Sequence, residues 1–156
     1  MSEGFVEADA AIRCLDLQLQ VIHDVLDEFP EETIWVRPAV GVSSLGNVVC
    51  HVAGSLRDWL ENGLAEGAWV RDRQFEFDRH DGPDRVGLHG LLNDTRTHCQ
   101  QFLAAVSADN WDDGRQFRNR TLSVRELLWH QVAHVSYHAG QASLLRRWSG
   151  GLPARA

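Results

Sequence analysis

The segment SVRELLWHQVAHVSYHAGQASLLRRW, residues 123–148, carries the clearest structural pattern in the chain. Ser123 and Glu126 stand three residues apart at its start, the spacing of a capping box that begins a helix. The apolar residues that follow recur at spacings of three and four, which predicts a helix with one apolar face. That face consists of Leu127, Leu128, Val135, Ala142 and Leu145. The stretch SGGLP at 149–153 is a typical helix stop, so we expect the helix to end at Trp148.

Three further segments have the same periodicity and predict helices over about 8–29, 44–65 and 84–106. Pro30 stops the first of them, because proline cannot continue a helix. Ser43 or Ser44 is the expected N-cap of the second. No strand pair is predicted, because no two apolar-polar alternating runs flank a turn signal.

Long connections join these helices at 30–43 and at 66–85. The second is rich in charged and aromatic residues, as in RDRQFEFD at 71–78. A connection of that length in a compact domain usually carries function or crosses the fold. Four helices with long crossover connections predict an all-α fold, a four-helix bundle. We expect residues 1–156 to form a single domain, since domains of this length are common.

Composition excludes several classes of protein. Apolar residues make up 44% of the 156 residues, which is typical of a globular chain and excludes disorder. No apolar run approaches the roughly 18–20 residues of a membrane span. The acidic N-terminus does not resemble a signal peptide, so we expect a cytoplasmic protein.

The net charge of −7 argues against nucleic acid as a partner. The chain has no lysine, which excludes Schiff-base and P-loop mechanisms. Its three cysteines form no CxxC pair, so neither a disulfide framework nor a zinc ribbon is indicated.

The eight histidines raise the question of a metal site, because imidazole is the commonest metal ligand in proteins. His134 and His138 lie on the apolar face of the last predicted helix, about 40° apart around the helix axis, so their rings can converge on one ion. Two inward imidazoles are costly unless hydrogen bonds or a metal satisfy them, and the spacing leaves both explanations open. His130 lies one turn earlier, toward the edge of the face. No glutamate follows His134, so the segment is not the HExxH pattern of zinc proteases.

A third ligand would come from another helix, and His51 on the second predicted helix is the leading candidate. Its wheel position flanks the apolar stripe, so geometry alone does not decide its role. The neighbouring Cys50 points about 100° away from it and is not expected to be a ligand. The remaining histidines are expected to be surface or boundary residues: His23, His80, His89 and His98.

Two motifs resemble those of the DinB-like superfamily. The sequence HVSYHAGQ at 134–141 resembles its final-helix motif, usually His-x-x-x-His-Arg-Gly-Gln, and LGNVVCHVAG at 45–54 resembles the second-helix segment with its first ligand. The stretches WVRP at 35–38 and RDR at 71–73 are similar to those of an uncharacterised DinB-like subfamily. The resemblance spans nearly the whole chain. It departs from the motif at Ala139, where arginine is usual, and this puts a substrate or partner role of that position in doubt.

The resemblance implies a four-helix bundle with a divalent metal held by His51, His134 and His138. Three imidazoles leave a coordination position open, which is typical of a catalytic site. Zinc and nickel are the expected ions, and iron and manganese also accept imidazole. Residues expected to support the ligands from outside, with simple packing as the alternative, are Asn47, His130 and Gln141.

Members of the superfamily resemble transferases and isomerases that depend on low-molecular-weight thiols. The first functional hypothesis is therefore a metal-dependent enzyme, a thiol S-transferase acting on a small molecule in a pocket between the second and fourth predicted helices, under residues 66–85. A metal-dependent hydrolase is a close variant. The second hypothesis is a non-catalytic metal- or ligand-binding stress-response module, in which His130 or His23 would close the site as a fourth ligand.

A third hypothesis is a purely structural bundle that pairs with itself. A homodimer through the bundle faces is plausible, and nothing in the sequence fixes it. Aromatic residues are common in interfaces. The tryptophans expected to be exposed and available for such an interface are Trp69, Trp111 and Trp148.

Overall fold

The computed structural model describes the backbone of residues 3–149 and the side chains of residues 7–149. Its α-helices are α1 (Glu3–Glu28), α2 (Leu45–Arg57), α3 (Arg73–Asp78), α4 (Arg85–Ala104) and α5 (Val124–Ser149). A short 3-10 helix covers Glu31–Thr33, and a π-helical segment, Asp58–Leu64, continues α2. Two strands, β1 (Gly114–Phe117) and β2 (Arg120–Ser123), form a hairpin. No helix in this described part of the chain is long and apolar enough to cross a membrane.

The four long helices form a bundle, which confirms the predicted fold. Helix α1 packs on α5 and α4, and α2 packs on α4 and α5. The apolar faces meet in one core whose members include Leu15, Ile22, Leu56, Leu92 and Leu128. Burial of each such side chain contributes roughly 1.5–3 kcal/mol relative to its exposed state. This core holds α2, which carries His51, and α5, which carries His134 and His138, in a fixed relation.

Capping boxes begin both of these helices: the box at Ser123 and Glu126 was predicted, and Ser44 was one of the two serines expected as N-cap of α2. The Ser44 hydroxyl accepts from the Asn47 N–H at 3.2 Å, and the Asn47 amide oxygen accepts from the Ser44 N–H at 3.1 Å. At the start of α5, Ser123 Oγ accepts from the Glu126 N–H at 3.2 Å, and Glu126 Oε2 accepts from the Ser123 N–H at 2.7 Å. Loss of such a cap typically costs about 1 kcal/mol, so these boxes fix where α2 and α5 start.

The expectation that the chain has no strand pair is wrong. Strands β1 and β2 pair antiparallel, with Gly114 opposite Ser123 and Phe117 opposite Arg120. Between them, Arg118 and Asn119 have φ values of 51° and 61°, the left-handed backbone that a type I′ turn needs at both positions. An Arg-Asn pair is not the usual Asn-Gly signal of this turn, and strands of four residues are too short to show a clear alternation.

The long connection at 66–85 contains a helix that periodicity could not indicate. Helix α3 has only six residues, less than two turns. The Asp72 side chain caps it by accepting from the Phe75 N–H at 2.9 Å. Helix α3 packs against α2. Most of the charged stretch at 71–78 is therefore a short helix, α3, that covers one side of α2.

One of the tryptophans expected to be exposed is buried. Trp111 is 1% exposed, and its indole N–H donates to Glu7 Oε2 at 3.1 Å, so the expectation is wrong for this residue. Trp148 is 48% exposed, as expected, and Trp69 is half-buried. Helix α5 continues to Ser149, one residue beyond the expected end and into the expected stop at 149–153; residues 150–153 lie outside the described residues.

Candidate metal centre

Three imidazoles meet between α2 and α5. One ring nitrogen from each of His51, His134 and His138 lies within 4.8 Å of the other two. The Nε2 atoms of His51 and His134 are 3.1 Å apart. The centroid of the His138 ring lies 4.8 Å from that of His51 and 4.5 Å from that of His134. The structure thus brings together the three residues that the resemblance implies as ligands.

The burial of His51 shows why its wheel position was ambiguous. The residue is only 5% exposed, although it flanks the apolar stripe of α2. Helix α3 covers this side of α2, and the Phe77 ring lies 4.6 Å from the His51 ring. A wheel drawn for one helix cannot include a covering element from elsewhere in the chain, so His51 appeared to lie at an edge.

A carboxylate holds the far side of the His51 ring. Glu76 Oε2 lies 2.9 Å from His51 Nδ1, and Arg71 binds both oxygens of Glu76 at 2.7 Å each. Burial tends to raise the pKa of Glu76, but the hydrogen bonds from His51 and Arg71 outweigh it and lower the pKa. An ionised carboxylate only accepts, so Nδ1 of His51 carries the proton and its Nε2 lone pair faces the other two rings.

His138 is held in the same way by a neutral partner. Gln141 Oε1 lies 2.9 Å from His138 Nδ1, and the amide oxygen accepts the Nδ1 proton. This again leaves Nε2 with its lone pair. Carboxylate or amide oxygens on the outer nitrogen of a histidine are the usual support of a metal-ligating imidazole, since they fix the tautomer and the ring orientation.

The protonation states favour ligation. Burial, together with the nearby His138, His51, His130 and Arg71, lowers the pKa of His134 to about 3. Burial also lowers the pKa of His138, against the opposing effect of its hydrogen bond to Gln141. Both imidazoles are therefore neutral near pH 7, which is the form that binds metal ions.

The donor set fits a divalent metal ion. Zinc–nitrogen bonds of about 2.0–2.1 Å separate two ligand nitrogens by roughly 3.3 Å at a tetrahedral angle and by roughly 2.9 Å at a right angle. The observed 3.1 Å between His51 and His134 lies between these values. His134 differs from the other two rings, because its Nδ1 is buried without a hydrogen-bond partner among the described residues. Within the described residues, this is the one cluster of three metal-ligating side chains.

The sequence of residues 15–142 matches the DinB superfamily. The chain belongs to the DinB superfamily. A conserved protein from Enterococcus faecalis has a similar crystal structure, with a TM-score of 0.76 and 15% identity over 92% of this chain and 97% of that one. A DinB-like protein from Bacillus cereus has a TM-score of 0.71 and 17% identity over 95% of both chains. At these identities the likeness concerns the fold alone. No curated protein matches the chain.

Asn47 contacts the surroundings of the three-histidine cluster and not the cluster itself. Its amide does not reach His51. It completes the N-terminal cap of α2, and its Nδ2 donates to the backbone oxygens of Glu76 at 3.0 Å and of Arg79 at 2.9 Å. Asn47 therefore holds the end of α3, and α3 in turn presents Glu76 to His51.

His130 lies beside the three-histidine cluster and is not one of its members. Its ring stacks on the Trp59 indole at 3.6 Å, and its centroid is 6.1 Å from that of His134. His23, the other expected fourth ligand, pairs instead with His89, with 2.6 Å between their Nδ1 atoms. Neither residue joins the cluster, which consists of three histidines within the described residues.

Sequence reasoning missed Glu76, Arg71 and Gly54. The charged stretch at 71–78 was the available signal for the first two. Gly54 lies one turn after Cys50 on α2, and a Cβ at this position would collide with the Glu76 carboxylate. The glycine therefore allows α3 to approach α2 closely. Cys50, as expected, is not part of the cluster. Its thiol lies 3.8 Å from Arg79 Nη1, and burial raises its pKa.

Neither cleft near the three-histidine cluster lies where the pocket was expected, between α2 and α5 under residues 66–85. The cleft under 66–85 is small, about 240 Å³, and is bounded by α2, α3 and α4. A larger cleft of about 490 Å³ lies between the π-helical segment, the hairpin and the start of α5. It includes His130, one helical turn from His134. We call it the hairpin cleft; its lining residues are Trp59, Phe117, Arg118, Arg120, Leu122, Glu126 and His130.

Proposed function

We propose that this protein binds a divalent metal ion through His51, His134 and His138 and uses it to catalyse a reaction on a small molecule, as a thiol S-transferase. One observation carries the proposal: two of the three rings have their outer nitrogens held by Glu76 and Gln141, which leaves their Nε2 atoms free on the inner side. Zinc or nickel is the proposed ion, because both accept imidazole ligands.

The protein groups have separate tasks in this proposal. Glu76 holds the proton of His51 on Nδ1, and Gln141 does the same for His138. Arg71 neutralises the buried Glu76 carboxylate, and Phe77 covers the His51 ring. A divalent ion at this site would lower the pKa of a coordinated thiol or water and so supply a nucleophile at neutral pH. The cluster of three histidines would leave a coordination position for that group, which supports catalysis over a closed storage site.

The proposed transfer is a nucleophilic substitution at carbon. The thiol gives its proton to solvent, the sulfur forms a bond to the electrophilic carbon, and the leaving group departs with the bonding electron pair. A suitable probe is 1-chloro-2,4-dinitrobenzene, which releases chloride. We propose low-molecular-weight thiols as the co-substrate, and the assay compares several of them, including glutathione, cysteine and coenzyme A.

Metal binding and turnover are tested separately. The wild type is loaded with zinc or nickel, desalted, and examined by elemental analysis and by a competition titration with a chromophoric chelator. His134→Ala should lower affinity by more than the 10–100-fold that loss of an outer-shell partner typically costs. His98→Ala is the matched control, because His98 pairs with Glu61 away from the cluster. Wild-type affinity in His134→Ala would refute the metal site.

Turnover by the loaded protein with any of the thiols supports the transferase. Hydrolysis of activated esters without a thiol would replace it with a hydrolase. Tight metal binding without either activity would support the non-catalytic module instead.

A further inference from the structure

The hairpin cleft has the size and lining of a small-molecule site. Its volume of about 490 Å³ lies within the roughly 300–1,000 Å³ typical of ligand pockets. Trp59 and Phe117 supply aromatic surface, with ring centroids 4.8 Å apart in an edge-to-face arrangement. The His130 ring extends this surface by stacking on Trp59. A flat apolar body can therefore pack along this wall.

Two guanidinium groups stand at the same cleft. Arg118 lies over the Phe117 and Trp59 rings at 5.0 and 5.4 Å, and one of its nitrogens pairs with Asp58. The Arg120 side chain makes no hydrogen bond or ion pair with any described residue. Arginine presents donors in a planar fork that matches a carboxylate, so Arg120 is a free binding group for an anion.

The acidic groups at the cleft are already engaged. Glu126 receives the N–H and the hydroxyl of Ser123 at 2.7 and 2.9 Å in the helix cap, and these bonds lower its pKa. Asp58 is only 6% exposed and binds Arg118 from below. Burial and the charge of Arg118 lower the pKa of His130, so this ring stays neutral near pH 7. Glu126 keeps its negative charge, but its Oε2 is already engaged in the helix cap, and Arg118 is paired with Asp58. Arg120 is therefore the charged group at the cleft whose hydrogen-bond donors remain open.

The cleft is linked to the metal centre by direct contacts. The His130 ring, which lines the cleft, is 6.1 Å from the His134 ring. Asp58 lies 3.6 Å from Arg71 as well as binding Arg118, and Arg71 binds Glu76 behind His51. A molecule held in the cleft would thus lie one helical turn from the proposed ligand His134.

We propose that the hairpin cleft binds a small anion with a flat apolar body, such as an aryl carboxylate, with its carboxylate on Arg120 and Arg118 and its ring against Trp59 and Phe117. An aryl carboxylate whose ring also carries a leaving group, such as a halide, would be the electrophilic substrate of the enzyme: the thiol sulfur bonds to the ring carbon and the halide departs with the bonding electron pair. That second step rests on the proposed function. The ligand class itself stands on the cleft alone and can be tested in metal-free protein.

The binding test uses three probes in isothermal titration with metal-free protein. 2-Naphthoate has both features, 2-naphthamide lacks the charge, and acetate lacks the ring. We expect 2-naphthoate to bind at least about tenfold more tightly than either of the others, since charge-assisted hydrogen bonds are roughly twice as strong as neutral ones. Equal binding of the naphthoate and the naphthamide, or no binding of the naphthoate, would overturn the proposal.

Variants locate the site on the cleft. Arg120→Gln and Arg118→Gln should each weaken 2-naphthoate binding by about ten- to a hundredfold. Arg147→Gln removes the same charge from the last turn of α5, about 30 Å along the helix from Glu126, and should leave binding unchanged. Circular dichroism verifies that the variants are folded. Wild-type affinity in Arg120→Gln would refute the assignment.

A last arm separates this proposal from the metal hypothesis. With the paramagnetic ion Co²⁺ bound, the proton resonances of bound 2-naphthoate should broaden, because the cleft adjoins His134. Binding without broadening in protein that holds cobalt would refute the substrate class. Failure to hold cobalt, with naphthoate binding intact, would refute the metal site and leave the cleft standing.

Discussion

Glu76→Gln is the sharpest single perturbation of the centre. The substitution keeps the size of the side chain and removes its charge. In the native protein the Glu76 carboxylate lies 2.9 Å from His51 Nδ1 and 2.7 Å from Arg71 Nε. Loss of an outer-shell partner typically lowers metal affinity by about 10–100-fold. At about 1.4 kcal/mol per factor of ten, we expect a loss of roughly 1.4–2.8 kcal/mol in metal-binding free energy.

The apo protein should also become less stable. Arg71 is nearly buried, and without Glu76 its remaining acidic neighbour is Asp58 at 3.6 Å. Removing one partner of a buried ion pair costs up to roughly 3–5 kcal/mol. Because glutamine keeps one acceptor oxygen for Arg71, we expect a smaller loss, about 1–3 kcal/mol in the free energy of unfolding. Urea denaturation of the metal-free protein measures this loss.

The chain offers a close control in Glu61→Gln. Glu61 also accepts from an arginine and a histidine, Arg57 at 2.7 Å and His98 at 2.8 Å, but it lies outside the three-histidine cluster. Chelator competition should show reduced affinity in Glu76→Gln and wild-type affinity in Glu61→Gln. Equal affinities in both variants would show that the carboxylate has no part in metal binding. Gly54→Ala should lower affinity too, because the added methyl group displaces Glu76.

Three further predictions concern the rest of the bundle. Burial, and after it the facing His89, lower the pKa of His23, so the unfolded chain takes up a proton first as pH falls below about 6.5 and stability drops. Denaturation curves from about pH 7.5 to about pH 5.5, one unit either side, should show a shallower loss in His23→Gln. Burial raises the pKa of the Cys99 thiol to about 12, so mass spectrometry after iodoacetamide treatment of folded protein should find Cys14 labelled and Cys99 unlabelled. Leu128→Ala empties a completely buried position and should reduce the free energy of unfolding by about 2–5 kcal/mol, unless the core collapses to fill it.

The sequence predicted those parts of the protein whose signals are local. Periodicity and capping residues located the four long helices, and the spacing of His134 and His138 placed both on one inner face. The role of His51 was ambiguous from the sequence, because the element that buries it, α3, is distant in the chain and too short for periodicity to reveal. The resemblance to the DinB-like motif selected it where the helical wheel could not.

Features that depend on contacts between distant segments were missed. The pairing of Glu76 with His51 joins residues 25 positions apart. The hairpin lacks the usual glycine in its turn, and Trp111 is buried through its contact with Glu7, more than a hundred residues away. Its length and its charged and aromatic residues indicated that the connection at 66–85 is functional or crosses the fold. The partners of its side chains follow only from the packed bundle.

The central claim is tested most directly by a crystal structure of the zinc-loaded protein with anomalous diffraction at the zinc edge. We predict one anomalous peak, at a bonding distance of about 2.0–2.1 Å from Nε2 of His51, His134 and His138. A peak at the His23–His89 pair instead, or no peak at the three histidines in protein that has been loaded with zinc, would contradict the account.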